Sequence, residues 1–171
     1  LPAPSEPATT AVDAYVRALS ATADGRFLHA VENSGWVITY AIDASSGTLS
    51  FVKETQGANG YWASAFHWSE PLAVILGIHP VALNVRRVDT STGELLDASA
   101  PVAIADGLQP HASGTLFFDA SGGFVCVVVD DPSALGSATR VQTYNLATSG
   151  KLTGPVDDKP VGEGANPSII V

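Results

Sequence analysis

Three times along this chain a Gly-x-Leu triplet closes an apolar hairpin: Gly47-Thr48-Leu49, Gly93-Glu94-Leu95 and Gly150-Lys151-Leu152, at separations of 46 and 57 residues. A period of about 40 to 60 residues, each unit built from short apolar runs between turn residues, is the pattern of propeller blades and comparable arrays. It constrains the fold before any single side chain is weighed.

The first unit reads as four strands: Tyr15 to Ser20, Arg26 to Val31, Trp36 to Ile42 and Leu49 to Glu54. Asp24-Gly25 joins the first two, because glycine tolerates positive φ and the carboxylate can accept a backbone N–H two residues on. Asp43 lies four residues before Gly47, and Asp89 lies four before Gly93, so the second unit keeps the same turn between its last strands. That unit runs through Trp62 to Trp68, Leu72 to Ile78 and Val81 to Val88 before Leu95. The third is expected to hold strands at His111 to Phe118, Phe124 to Val129 and Arg140 to Leu146, with residues 130 to 138 as an inserted loop. After Val156 the pattern begins a fourth time. The sequence therefore predicts an all-β fold of four-stranded antiparallel blades: an extended lead-in over 1–12, blades at about 14–57, 58–104 and 105–160, and the start of another at 161–171. Three units and a stub fall short of the four to eight blades that close a ring, so the chain reads as part of a larger propeller. Isolated, such a piece would expose two blade faces and is expected to associate.

Charge narrows the partners. Eight basic residues against seventeen acidic ones give a formal charge of -9, which repels phosphodiester backbones and anionic lipid at long range. Neither nucleic acid nor membrane is an expected partner, and no apolar run approaches the length of a spanning helix. A small anion would need a locally positive pocket, for which Arg17, Arg26, Arg86, Arg87 and Arg140 are the available arginines. The one cysteine, Cys126, sits in Phe-Val-Cys-Val-Val-Val and reads as a buried small hydrophobe. The chain opens on Leu1-Pro2-Ala3-Pro4, has no methionine and shows no secretory segment. The expectation is a start removed by processing or fragmentation, and a cytoplasmic location over a secreted one.

Gln109-Pro110-His111, Phe118-Asp119, Gly123-Phe124-Val125, Asp130, Arg140-Val141, Tyr144 and Gly150-Lys151-Leu152 together resemble the seven-bladed propeller lactonases, a family that includes 6-phosphogluconolactonase-like and carboxymuconate-cyclase-like proteins. Asp24-Gly25-Arg26-Phe27-Leu28 and Tyr40-Ala41-Ile42-Asp43 fit the same blade template. The resemblance implies a lactonase, or a muconate-lactonising cyclase, acting without metal or cofactor on a small sugar-derived or carboxylated lactone in carbohydrate metabolism, with the remaining blades as structural partners. Two departures stand out. Ser113 occupies the position of the family's second histidine, and in Gly164-Ala165-Asn166-Pro167-Ser168-Ile169 the family's Arg-His is Ser168-Ile169. Lactone chemistry needs a base to move a proton and a donor to steady an oxyanion, and one serine is a weaker donor than a guanidinium fork.

His111 is the leading proton carrier, since imidazole moves protons well near neutral pH, and Asp130, after the second strand of the third unit, could orient a histidine or receive a sugar hydroxyl. Glu163, Asn166 and Ser168 near the channel mouth, with Arg140, are the candidate substrate-binding residues. For each a plain structural role competes: a satisfied histidine, and for Asp130 and Asp131 a solvated loop. Glu32 and Asn33 read as turn residues and His29 as packed between blades. His67 and His79 have no metal-ligand spacing. Tyr61, Trp62, Phe66 and Trp68 could stack a sugar but read first as interblade packing. The alternative to a lactonase is a non-catalytic propeller that binds a ligand or a protein.

Overall fold

The structure, a computed structural model, describes residues 15–57, 60–105, 107–112, 115–134 and 138–161. Among them are fourteen strands, all paired antiparallel, and no helix. The first sheet is a meander of β1 (Val16–Ala21), β2 (Phe27–Glu32), β3 (Trp36–Ile42) and β4 (Leu49–Gln56). The second contains β5 (Tyr61–Phe66), β6 (Leu72–Ile78), β7 (Val81–Val88) and a fourth strand in two pieces, β8 (Leu95–Asp97) and β9 (Val102–Ala103), both paired with β7. In the third, a split first strand, β10 (Gln109–Pro110) and β11 (Leu116–Phe118), precedes β12 (Phe124–Asp131), β13 (Ala138–Leu146) and β14 (Leu152–Val161). These are three propeller blades. The lead-in over 1–12 and nearly all of the expected fourth start lie outside the described residues.

Packing follows from strand periodicity. Leu72, Val74 and Leu76 of β6 alternate with Ala73 and Ile75, and every one of the five is buried. A run buried on both faces needs no polar alternation, which is why this stretch reads as continuously apolar. The even-numbered side chains join Leu83, Val85, Val125, Val127, Val129 and Tyr144 in the seam between the second and third blades. Ile75 joins Val31, Val37, Tyr61, Val88 and Leu95 in the seam between the first and second. His29 is fully buried in that first seam, its Nε2 2.9 Å from the carbonyl of Gly93 and its ring stacked on Phe66. Burial pushes its pKa down, so it is held neutral, as the interblade reading expects.

The repeated turn is confirmed in detail. In both blades the glycine N–H bonds the aspartate carbonyl (Gly47 to Asp43, 2.8 Å; Gly93 to Asp89, 2.7 Å), and the aspartate N–H bonds the residue after the glycine. The aspartate carboxylate accepts the hydroxyl and N–H of the serine two places on, and the next N–H as well. Ala147 replaces the aspartate in the third blade, and there Gly150 N–H closes a shorter turn onto its carbonyl.

Asp24, Asp119 and Asp131 are capped in the same manner. In all five aspartates a neighbouring hydroxyl, with backbone amides adding, holds the carboxyl below its usual pKa. A group whose pKa is lower folded than unfolded contributes stability that is complete above the unfolded value, about 3.9, and is lost as pH falls through the folded one. Urea midpoints should therefore fall between about pH 5 and about pH 3, and an Asp43→Asn, Asp89→Asn double variant should show a flatter fall. An identical slope in parent and variant would show that these turns are not the acid-sensitive elements.

Two expectations about the third blade need correction. The predicted inner strand His111 to Phe118 is split, and of the expected loop over 130–138, residues 130 and 131 belong to β12 and Ala138 to β13. Asp130 stays in the ladder because it sits opposite Thr139, whose hydroxyl donates to its Oδ1 at 3.0 Å. Asp131 ends the strand by capping its own turn through Ser133.

Candidate functional site

The first strands of the three blades run side by side: the Ser20 and Ser64 hydroxyls lie 3.4 Å apart between β1 and β5, and β11 lies against β5 on its other side. Each strand carries an irregularity at the same level. In β1 the pairing jumps from Val16 opposite Glu32 to Ala18 opposite Val31, leaving Arg17 as an extra residue. In β5 it jumps from Tyr61 to Ala63 and leaves Trp62. In the third blade Val128 receives both ends of a larger interruption: its carbonyl accepts the His111 N–H at 3.3 Å and its N–H bonds the Thr115 carbonyl at 3.1 Å. Bulges re-aim side chains and gather at functional rims.

Here they build a continuous line. The Arg17 guanidinium carbon lies 4.5 Å from the centre of the Trp62 ring, within cation–π range. The Trp62 indole N–H donates to the carbonyl of His111 at 2.7 Å. His111, buried, turns its Nε2 toward Asp130 Oδ1 at 3.9 Å. A cation, an aromatic plate, an imidazole and a carboxylate thus follow one another across three blades. The set brings an imidazole beside a carboxylate and adds a guanidinium that can bind an anionic oxygen.

His111 and Asp130 are thus brought together, while Arg140 stands elsewhere. It pairs with Val129, on the other face of the blade from Asp130, and its Nε donates to Asp158 Oδ1 at 2.8 Å. That bond holds the guanidinium pKa above its ordinary value. Gln142 bonds the second oxygen of Asp158 at 3.1 Å and accepts the Tyr144 hydroxyl at 2.9 Å. Burial, helped by the Asp158 charge, pushes the Tyr144 phenol up to about 12. Glu163, Asn166, Ser168 and the Ser113 position lie outside the described residues.

Arg17 and Trp62, named in the sequence only as one of five arginines available to an anion and one of four aromatics able to stack a sugar, join His111 and Asp130 here. Their only local signal is a shared pattern, a large residue followed by alanine one strand-residue into each inner strand (Val16-Arg17-Ala18, Tyr61-Trp62-Ala63). Glu32 ends β2 and serves the turn that follows, its carbonyl accepting the Gly35 N–H at 3.1 Å, yet it is fully buried, opposite Val16. One carboxylate oxygen accepts the Ser34 hydroxyl at 3.0 Å, and the other has no hydrogen-bond partner among the described residues. Of the aromatics, Tyr61 and Phe66 pack at the first seam, whereas Trp68 is half exposed and stacks on His67. Among the described residues no three metal-ligating side chains converge, and no helix is long and apolar enough to cross a membrane.

No protein-family model matches the chain, and no curated protein does. Solved structures do. A candidate 6-phosphogluconolactonase of Bacteroides uniformis superposes with a TM-score of 0.72 at 16% identity over 88% of this chain and 42% of its own. One from Bacteroides fragilis gives 0.69 at 16% over 86% and 40%. A periplasmic gluconolactonase of Pseudomonas aeruginosa gives 0.67 at 22% over 86% and 40%. At these identities the likeness establishes the propeller fold, and the chain spans about two fifths of those structures.

Proposed function

We propose that the chain is part of a seven-bladed propeller lactonase that hydrolyses a small sugar-derived lactone. The observation that carries this is the Arg17–Trp62–His111–Asp130 line on the inner strands. Three blades on 40 to 42% of the length of the lactonase-like structures scale to about seven in full.

Hydrolysis requires a water to lose a proton as it attacks the lactone carbonyl. His111 takes that proton, and Asp130 beside it steadies the imidazolium formed. The carbonyl oxygen gains negative charge, which the Arg17 fork holds in place of the arginine that the family carries where this chain has Ser168. Trp62 supports Arg17 from below and presents an apolar plate against the sugar ring. Collapse of the intermediate breaks the ring C–O bond, and the proton on His111 passes to the leaving hydroxyl. Base and cation are both protein side chains.

The test is hydrolysis of gluconolactone and its 6-phospho form by the full-length protein. Turnover above the spontaneous rate is expected for at least one, and Arg17→Ala should lower kcat/KM by about 10²-fold, the loss typical of one oxyanion donor. Failure on both substrates would leave the second reading, a propeller that binds a ligand without converting it, which Ser168 and Ile169 at the family's Arg-His positions favour.

A further inference from the structure

We propose that the outer half of the seam between the first two blades is a second binding site, distinct from the inner-strand line, for a small hydroxycarboxylate. The site exists because the outer strand of the second blade breaks. β8 ends at Asp97 opposite Arg86, and β9 resumes at Val102 opposite Leu83. Four residues, 98 to 101, therefore span the space opposite Asn84 and Val85. Ala98 still bonds the Val85 carbonyl at 3.1 Å, but Pro101 has no N–H to offer the ladder. The gap opens a cleft of about 530 Å³ lined by Asn84, Arg86 and the 97–101 segment, with Gly57 of the first blade as its far wall.

The chemistry of the lining is selective. The Arg86 side chain is only 13% exposed, whereas its ion-pair partner Asp97 is 80% exposed. One guanidinium nitrogen meets the Asp97 carboxylate and another donates to the Tyr61 hydroxyl at 3.4 Å. A cation set in the wall is thus paired with a carboxylate on the rim, an arrangement that solvent weakens. An incoming carboxylate can displace Asp97 and bind the planar fork through two parallel bonds.

Beside it, the buried Asn84 gives its amide hydrogens to the carbonyls of Ile75 and Ala82, which leaves Oδ1 to accept a ligand hydroxyl. Gly57 preserves the remaining wall, since a Cβ there would fall 1.3 Å from the Tyr61 hydroxyl that also contacts Arg86. One cation with one hydroxyl acceptor suits a carboxylate carrying a neighbouring hydroxyl. A neutral sugar gains no ion pair, and a phosphate dianion sets two charges against one guanidinium with Asp97 nearby. The cleft lies two strands outward of β5, about 10 Å from the inner-strand line.

Sodium gluconate serves as the probe, titrated calorimetrically into the full-length protein. Binding is expected to tighten several-fold in Asp97→Asn, which removes the competing carboxylate, and to weaken by about tenfold or more in Arg86→Gln. Lactone hydrolysis should be unchanged in both variants, and gluconate binding at this site should persist in His111→Ala. Should Arg86→Gln fail to fold, the surface variant Asp97→Asn decides alone. The proposal is overturned if Asp97→Asn leaves affinity unchanged, if binding is abolished by His111→Ala, or if inorganic phosphate binds as tightly as gluconate.

Discussion

A His111→Ala variant of the full-length protein should lose lactone turnover by about 10²- to 10⁴-fold, the range contributed by a positioned general base. The loss should fall on kcat, because the imidazole acts on the attacking water and not on the substrate's resting contacts. Stability should change little in comparison. Two of the bonds that hold this residue in the blade are made by its main chain, the N–H to Val128 at 3.3 Å and the carbonyl to Trp62 at 2.7 Å, and both survive truncation. His111→Gln separates the effects further, since it fills the buried space without a ring nitrogen that can carry the proton. Turnover unchanged in both variants would remove His111 from the mechanism, whatever the fold.

The blades were legible in the sequence because their signals are local. Asp43 to Gly47 and Asp89 to Gly93 are complete turn instructions within five residues, and Leu72 to Ile78 announces a strand buried on both sides. The site was legible only in part. His111 and Asp130 could be paired by resemblance, but Arg17 and Trp62 gain their positions from bulges, and a bulge is a property of two strands in register. No propensity at Arg17 or Trp62 marks the extra residue. It follows from Ala18 opposing Val31 and Ala63 opposing Leu76. The same holds for Arg140, where β-strand alternation sends the side chain to Asp158 on the face away from Asp130. Asp130 itself looked like loop because Asp-Asp-Pro is turn-rich composition. Thr139 across the ladder supplies the hydroxyl that keeps it in the sheet.

The repeated glycines make the sharpest test of how the blades are joined. Gly47 and Gly93 occupy the same turn with nearly the same φ, 71° and 74°. A substituted side chain at either pays the left-handed backbone cost, so Gly47→Ala, with nothing within 4 Å of the new Cβ, should destabilise by about 1 kcal/mol. At Gly93 the Cβ would sit 2.5 Å from the ring of Phe27, a buried residue of the neighbouring blade. The Gly93 carbonyl also accepts the only hydrogen bond that the buried His29 ring makes among the described residues. Rigid aromatic carbon cannot yield as a flexible side-chain end can, so overpacking adds to the backbone cost and Gly93→Ala should lose about 2–4 kcal/mol. Urea unfolding of the two variants reads the difference directly. Equal losses would mean that the turn of the second blade does not seat against Phe27, and that the first seam is held by its apolar cluster around Val31, Tyr61 and Ile75 without that contact. Unequal losses would show that one turn sequence, used twice, serves as a free hairpin in one blade and as an interblade clasp in the next.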